Sequence, residues 1–209
     1  MSGFVDLDTW KRREHFDIYN QLANPSWSVC TEVEVTRLRK LCQEATTFSF
    51  SIAAIYAALA AANETEAFRL RIREDRVWIH DSVDISTTVL RPDETFAFAI
   101  FPMTETPSEF QVQARAEAET ARTSATLGVA VSGRDDLIYH STFPWVRFTA
   151  ISNPTNGNKD SIPRIVFGRY SQQDGCWRMP VSVEVHHALV DGIDVSRFFE
   201  RLEKRLGSL

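Results

Sequence analysis

The feature that most constrains the fold is the segment at residues 49–62, which is apolar on nearly all sides when it is drawn as a helix. A helix without a polar face does not lie on the surface, so this segment is predicted to pack against a sheet. After residue 63 the period changes to two, because Phe68, Leu70 and Ile72 alternate with arginines and V-W-I follows a Glu-Asp pair. This pattern predicts a hairpin with one face in water.

The remaining pattern indicates several more strands and helices. Strands are predicted at residues 85–90, 95–101, 137–142, 145–151, 164–170 and 176–187. Helices are predicted at residues 10–21, 35–44 and 107–126, and a last helix carries an apolar stripe of Val195, Phe198, Phe199, Leu202 and Leu206. A polar loop is expected at residues 152–163 and a hairpin turn at residues 172–175. Helices interleaved with a large mixed sheet indicate an α/β (α+β layered) fold, in one domain over residues 1–209.

Composition excludes several classes of protein. The 209 residues are 44% apolar and 24% charged, which is ordinary for a globular chain and excludes collagen-like, disordered and coiled-coil proteins. A net charge of −5 shows no excess of basic residues, so a nucleic-acid partner is not expected. Three cysteines without C-x-x-C spacing argue against a disulfide scaffold and a thiolate metal site. Without a signal-peptide pattern or an apolar stretch long enough to span a bilayer, we expect a reduced, cytoplasmic protein that does not contact membranes.

The most informative stretch is V-S-V-E-V-H-H-A-L-V-D-G at residues 181–192. Strand alternation puts His187 on the face of the three valines and His186 on the opposite face. The strand is predicted to end at His187, and Asp191 with Gly192 is predicted to open the turn into the last helix. A histidine at a strand end beside a turn is well placed to act on a ligand in a crevice.

Three chemistries can use this histidine. A zinc site needs converging ligands, but His186 and His187 point to opposite faces and no second His/Cys cluster exists, so no metal is expected. A Ser-His-Asp hydrolase lacks its G-x-S-x-G elbow, and Asp191 is close enough in sequence to fix the local turn instead. The third chemistry is a lone neutral imidazole that takes a proton from an alcohol. From this motif alone, a core histidine followed by an N-cap aspartate is an equally open interpretation.

Further blocks extend the pattern along the chain: W-K-R-R-E-H-F at residues 10–16, D-S-V-D at 81–84, E-T-F at 94–96 and S-T-F-P-W-V at 141–146. Together with H-H-A-L-V-D-G and its flanks V-S-V-E-V and V-S-R-F-F-E-R-L, they resemble the chloramphenicol acetyltransferase family in order and nearly in spacing. The resemblance covers almost the whole chain. It implies a two-layer sandwich and transfer of an acetyl group from acetyl-CoA to a hydroxyl of chloramphenicol, as in antibiotic resistance. Acetyl-CoA is then a co-substrate, and no bound cofactor is implied.

The same resemblance implies roles for four residues. His187 falls on the catalytic base and Ser141 on the serine that stabilises the oxyanion. Asp191 and Arg12 fall on an ion pair that holds the turn before the last helix. Without the resemblance, Ser141 is an ordinary strand serine and Arg12 is a solvated charge in the K-R-R-E run.

The resemblance also implies substrate contacts, for the acceptor at Ile18, Tyr19, Trp27 and Val166, and for coenzyme A at Trp145 and Tyr170. The four aromatic residues among them are equally interpretable as core aromatics. Two positions depart from the family. Val166 stands where a threonine commonly helps to hold a water near the oxyanion, and Ile18 stands where an aromatic residue often lines the acceptor pocket. These departures leave open an acyltransferase for another small alcohol or another acyl-CoA, and a non-catalytic small-molecule-binding relative is a third alternative.

The length of the chain bears on its assembly. Larger acyltransferases with an H-x-x-x-D motif resemble two such units fused, with the active site between them. Since this chain supplies one unit, its sites are expected between subunits. The resemblance implies a homotrimer in which His187 of one chain faces the acceptor pocket of its neighbour.

Overall fold

The computed structural model describes residues 2–45, 48–128 and 133–209. Its strands are β1 (Gly3–Phe4), β2 (Ser26–Glu34), β3 (Leu70–Arg73), β4 (Arg76–Ile79), β5 (Asp84–Leu90), β6 (Phe96–Phe101), β7 (Leu137–Phe143), β8 (Arg164–Gly168), β9 (Ser171–Gln173) and β10 (Cys176–His186). Its α-helices are α1 (Arg13–Tyr19), α2 (Thr36–Glu44), α3 (Phe50–Glu64), α4 (Pro107–Thr123) and α5 (Gly192–Ser208), with a 3₁₀ turn at Glu66–Arg69. The predicted α/β class is confirmed.

A seven-stranded mixed sheet dominates the structure, in the order β2-β10-β8-β7-β5-β6, with β9 paired to β10. The β5–β7 and β7–β8 pairs are parallel, and the other pairs are antiparallel. A smaller sheet has the order β1-β4-β3. Helix α3 is buried along ten consecutive residues, as its lack of a polar face predicts. It contacts the helices α2, α4 and α5 and shares one hydrophobic core with the valines of β10.

The large sheet has one apolar and one polar face. Val181, Val183 and Val185 of β10 are buried in the hydrophobic core, together with Ile165 and Phe167 of β8. The register aligns the residues between them across the strands, so polar side chains share the other face. These are Ser86 and Thr88 of β5, Tyr139 and Ser141 of β7, Arg164 of β8, and Ser182 and Glu184 of β10. Val166 of β8 interrupts this polar face.

The predicted hairpin is present, but the face predicted to lie in water is only partly exposed. Glu74 and Asp75 form its tight turn, both with positive φ (48° and 62°). Arg71, expected in water, is 0% exposed. Its guanidinium donates to backbone carbonyls, including those of Asp135 (2.5 Å) and Leu137 (2.5 Å). Because backbone carbonyl oxygens accept from its N–H groups, the Arg71 guanidinium is buried without contact with water.

Strand prediction was also wrong at residues 145–151, where the structure has a turn and irregular chain. Pro144 follows β7 directly and has no backbone N–H to donate to a ladder, so the strand does not continue. Trp145 is consequently 59% exposed. Conversely, β2 was missed, although Trp27, Val29 and Val33 alternate along it.

A buried histidine, His140, occupies the apolar side of β7 directly before Ser141. Its Nδ1 lies 2.8 Å from Thr87 Oγ1, and its ring meets that of Phe167 edge to face at 4.7 Å. Nε2 has no hydrogen-bond partner among the described residues. Burial lowers the pKa of His140 from 6.5 to about 3, so the imidazole is neutral in the folded protein.

This histidine is expected to make the fold sensitive to acid. Below pH 6.5 the unfolded chain takes up a proton at His140 that the folded chain does not, so the stability present above pH 6.5 is lost as the pH falls toward 3. The His140→Leu variant lacks this pH-dependent contribution to the free energy of unfolding. Between pH 7 and pH 5 the free energy of unfolding of the wild type should drop by roughly 2 kcal/mol more than that of the variant. Urea unfolding at both pH values measures the difference, and parallel losses in the two proteins would contradict it.

Candidate functional site

The junction between β10 and α5 holds the candidate base. Strand β10 ends at His186, one residue earlier than predicted, and His187 begins the turn that leads to α5. The backbone N–H of His187 donates to the carbonyl of Pro25 (2.9 Å). Asp191 is the N-cap residue of α5, and its N–H donates to the Asp194 carboxylate (3.2 Å). The backbone on both sides of the His187 side chain is therefore fixed.

Two aromatic side chains hold the His187 ring. Tyr19 of α1 stacks on it with ring centroids 4.1 Å apart and an interplanar angle of 13°. Trp27 of β2 lies 5.2 Å away at 35°, and its indole N–H donates to the Val190 carbonyl (3.3 Å). His187 Nδ1 lies 3.3 Å from Asp191 Oδ1, without hydrogen-bond geometry among the described residues. The imidazole is thus held from two sides, and Nε2 is the nitrogen turned away from Asp191.

Arg12 joins this cluster from the residue before α1. Its Nη1 pairs with Asp191 Oδ2, while Nη2 donates to Asp191 Oδ1 (3.2 Å) and to the His187 carbonyl (3.1 Å). Burial acts to raise the pKa of Asp191, but the hydrogen bond and charge of Arg12 outweigh it and, with His15 and His187, lower that pKa. One guanidinium therefore holds the side chain at the start of α5 and the backbone of the candidate base.

His186 points the other way, as strand alternation predicts. Its Nδ1 accepts from the Ala188 N–H (3.2 Å), which leaves Nε2 as the donor to the Asn158 carbonyl (2.8 Å). Burial lowers the pKa of His186, partly offset by the bond to Asn158. No group of three or more His, Cys, Asp or Glu residues that can hold a metal ion occurs in the part of the chain that the structure describes.

A cavity of about 1100 Å³ opens on the polar face of the large sheet. One part of its wall is apolar and aromatic, from Leu90, Phe96, Phe98, Phe143 and Trp145. Another part is polar, from Tyr139, Asn153, Asn156, Asp160 and Arg164. Ser141 and Val166 lie between them on adjacent strands at the same register. A cavity of this size and mixed lining fits a small organic molecule.

The predicted site residues separate into two groups in the structure. Ser141, Val166 and Trp145 line the cavity. His187, Asp191, Arg12, Tyr19 and Trp27 form the other group, and none of them is among the described residues that line the cavity.

The last two predicted contacts lie outside both groups. Ile18 is 62% exposed on α1, and Tyr170 packs on Phe50 and Trp177. Neither residue lines the cavity that contains Ser141.

Sequence reasoning missed several wall residues. Thr88, Phe96 and Phe98 line the cavity, and all three lie on strands that were predicted. Their alternation places them on one face, but nothing in that pattern says whether the face meets solvent, a cavity or another chain. The ion pair between Asp160 and Arg164 was missed because it joins a loop expected to be solvated to β8.

Comparison with known proteins identifies the family of this chain. The sequence model of the family described as "CAT: Chloramphenicol acetyltransferase" matches residues 2–203. The chain belongs to the chloramphenicol acetyltransferase family. This member is 29% identical to chloramphenicol acetyltransferase 3 of Escherichia coli, over 97% of this chain and 96% of that protein. It is 30% identical to the chloramphenicol acetyltransferase of Streptomyces acrimycini, over 97% of this chain and 93% of that protein.

Solved structures share the fold of this chain. A chloramphenicol acetyltransferase superposes with a TM-score of 0.91 at 27% identity, over 99% of this chain and all of the other. A dihydrolipoamide acetyltransferase of Azotobacter vinelandii shares the fold, with a TM-score of 0.72 at 18% identity, over 93% of this chain and 86% of the other. This family member is an acyltransferase enzyme. None of its described helices has the length and apolar character needed to cross a membrane.

Proposed function

We propose that this enzyme transfers an acetyl group from acetyl-CoA to a hydroxyl of chloramphenicol, with His187 as the general base. The observation that carries the proposal is the fixed imidazole, which Tyr19 stacks at 4.1 Å and whose backbone Arg12 holds at 3.1 Å. A base that acts on an alcohol needs a neutral imidazole with one nitrogen free in a defined direction. The Nε2 of His187 is turned away from Asp191, so it is free to accept the proton of an acceptor hydroxyl.

In the proposed reaction, His187 and Ser141 lie on either side of the reacting atoms. His187 Nε2 takes the proton of the acceptor hydroxyl as its oxygen bonds to the thioester carbonyl carbon of acetyl-CoA. The carbonyl oxygen becomes an oxyanion, which the Ser141 O–H stabilises by donating to it. When the carbon–sulfur bond breaks, the thiolate of coenzyme A takes the proton back from His187. Acetyl-CoA is the co-substrate, Trp145 and Tyr170 are its proposed contacts, and no bound cofactor takes part.

The active site is proposed to form between subunits of a homotrimer. Supporting this, the described lining of the 1100 Å³ cavity includes Ser141 but not His187. A second copy of the chain that brings its His187, Tyr19 and Trp27 to the mouth of this cavity would complete the site, since a ring of identical head-to-tail interfaces closes on itself. We place the enzyme in the cytoplasm, in a role in antibiotic resistance.

A second candidate is an acyltransferase for another small alcohol. Val166, buried in the cavity wall beside Ser141, offers no hydroxyl to a water near the oxyanion. The polar wall that contains Arg164 and Asp160 also admits acceptors with charged or hydrogen-bonding ends. A non-catalytic relative that only binds a small molecule is the third candidate, which the ordered His187 cluster disfavours.

Release of free thiol from acetyl-CoA decides among these candidates. With chloramphenicol as acceptor we expect turnover of about 10 s⁻¹ or more, as in a dedicated enzyme. Low turnover of chloramphenicol and high turnover of another alcohol in a panel would move the assignment to the second candidate. Binding of chloramphenicol without thiol release from any acyl-CoA would favour the third.

A further inference from the structure

The hydroxyl of Ser141 has one side-chain partner. Thr88 Oγ1 of β5 lies 3.2 Å from Ser141 Oγ, and Ser141 Oγ has no second hydrogen bond among the described residues. Both hydroxyls face the cavity, from adjacent parallel strands. The threonine is therefore placed to act on the orientation of the serine hydroxyl.

The other side of Ser141 offers no such partner. The strand neighbour there is Val166, which has no hydrogen-bonding side chain. Beyond it in register lies Ser182, which is 1% exposed and whose Oγ has no hydrogen-bond partner within the described chain. Val166 thus interrupts a row of hydroxyls that runs from Thr88 through Ser141 to Ser182, and separates Ser141 from Ser182.

Orientation matters because a serine hydroxyl has a single proton. It stabilises an oxyanion only when that proton points at the oxygen, and a hydroxyl also has lone pairs that accept from another donor. A donor that occupies a lone pair of the Ser141 oxygen leaves the serine proton free to point at the oxyanion. The same donor polarises the serine hydroxyl and so strengthens its hydrogen bond to the oxyanion. Threonine suits this task because its branched side chain is stiff at χ1 and its strand is paired on both sides.

We propose that Thr88 is a positioning residue for Ser141, donating to Ser141 Oγ so that the serine proton points at the oxyanion. This inference rests on the proposed role of Ser141. It makes Thr88 the residue that orients the serine in a chain where Val166 has no hydroxyl to contribute.

The test is a double-mutant cycle in the thiol-release assay. Thr88→Val keeps the shape of the side chain and removes the hydroxyl, so kcat should fall about three- to tenfold, while KM for acceptor and acetyl-CoA stays within about twofold. Thr88→Ser keeps the hydroxyl and should retain most of the rate. In the Ser141→Ala background, Thr88→Val should cause no further loss, because its target is gone.

The outcomes separate this inference from the proposed function. An equal fall of kcat on Thr88→Val in both backgrounds shows that Thr88 acts by another route, and overturns the inference. A slow Ser141→Ala enzyme combined with an unaffected Thr88→Val enzyme overturns the inference alone. If Ser141→Ala itself keeps full kcat, the oxyanion role of Ser141 is wrong and the inference falls with it. Thr88→Ala runs through the same cycle if the valine variant does not fold.

Discussion

Alanine at position 187 is expected to lower kcat by about 10²- to 10⁴-fold, the usual contribution of a general base. The loss falls on kcat because the imidazole acts in the transition state and its removal leaves the cavity wall intact. The fold should survive, since the His187 ring is partly exposed and its backbone bonds to Pro25 and Arg12 do not depend on the side chain. Thiol-release kinetics and thermal unfolding measure the two effects.

The adjacent histidine provides a matched control, because its removal should lower stability and leave kcat nearly unchanged. His186 is 3% exposed and bonded through both ring nitrogens, so His186→Ala should lose stability while the folded fraction keeps kcat within about threefold. If His187→Ala retains near-full turnover, or if only His186→Ala abolishes it, the assignment of the base is wrong.

Two inactive variants are expected to restore activity when they assemble together. His187→Ala lacks the base and Ser141→Ala lacks the oxyanion donor, and loss of one such donor costs about 10²- to 10³-fold in kcat. If the enzyme is the proposed homotrimer and each site takes its histidine from one chain and its serine from the next, every mixed trimer contains one intact site. Random assembly of equal amounts makes about three quarters of the trimers mixed, and each mixed trimer has one intact site out of three. About a quarter of the wild-type activity should therefore return.

Co-expression with two different affinity tags and purification through both isolates the mixed trimers. The control pairs His187→Ala with a chain that carries both His187→Ala and Ser141→Ala, a mixture that has no histidine at any site. Recovery in the first mixture and none in the control supports a site between subunits. Persistent inactivity of purified mixed trimers would show that His187 and Ser141 act within one chain.

Much of the architecture follows from local patterns. The alternation along β6 and β10 and the all-apolar surface of α3 predict these elements, because strand and helix periods are local properties. Strand alternation also predicted the opposite directions of His186 and His187. The position of Arg12 against Asp191 came from the family resemblance, since no local pattern relates residues so far apart.

What the sequence did not reveal depends on tertiary surroundings. Arg71 looked like a surface residue, and only the carbonyl oxygens of Phe68, Leu70, Asp135 and Leu137 around it make its burial possible. The pairing of Thr88 with Ser141 requires the order of strands in the sheet, which alternation does not determine. The separation of His187 from the described cavity lining likewise arises from packing between elements distant along the chain.

The contact of Arg12 with Asp191 spans 179 positions of sequence. The geometry proposed for the base is therefore established only when two segments far apart along the chain have met. During synthesis, Arg12 cannot meet Asp191 before the residues between them have left the ribosome, so shorter nascent chains are expected to lack the proposed activity. Contacts of such long sequence separation also slow folding, so we expect the ordering of His187 to come late and its retention to report complete folding.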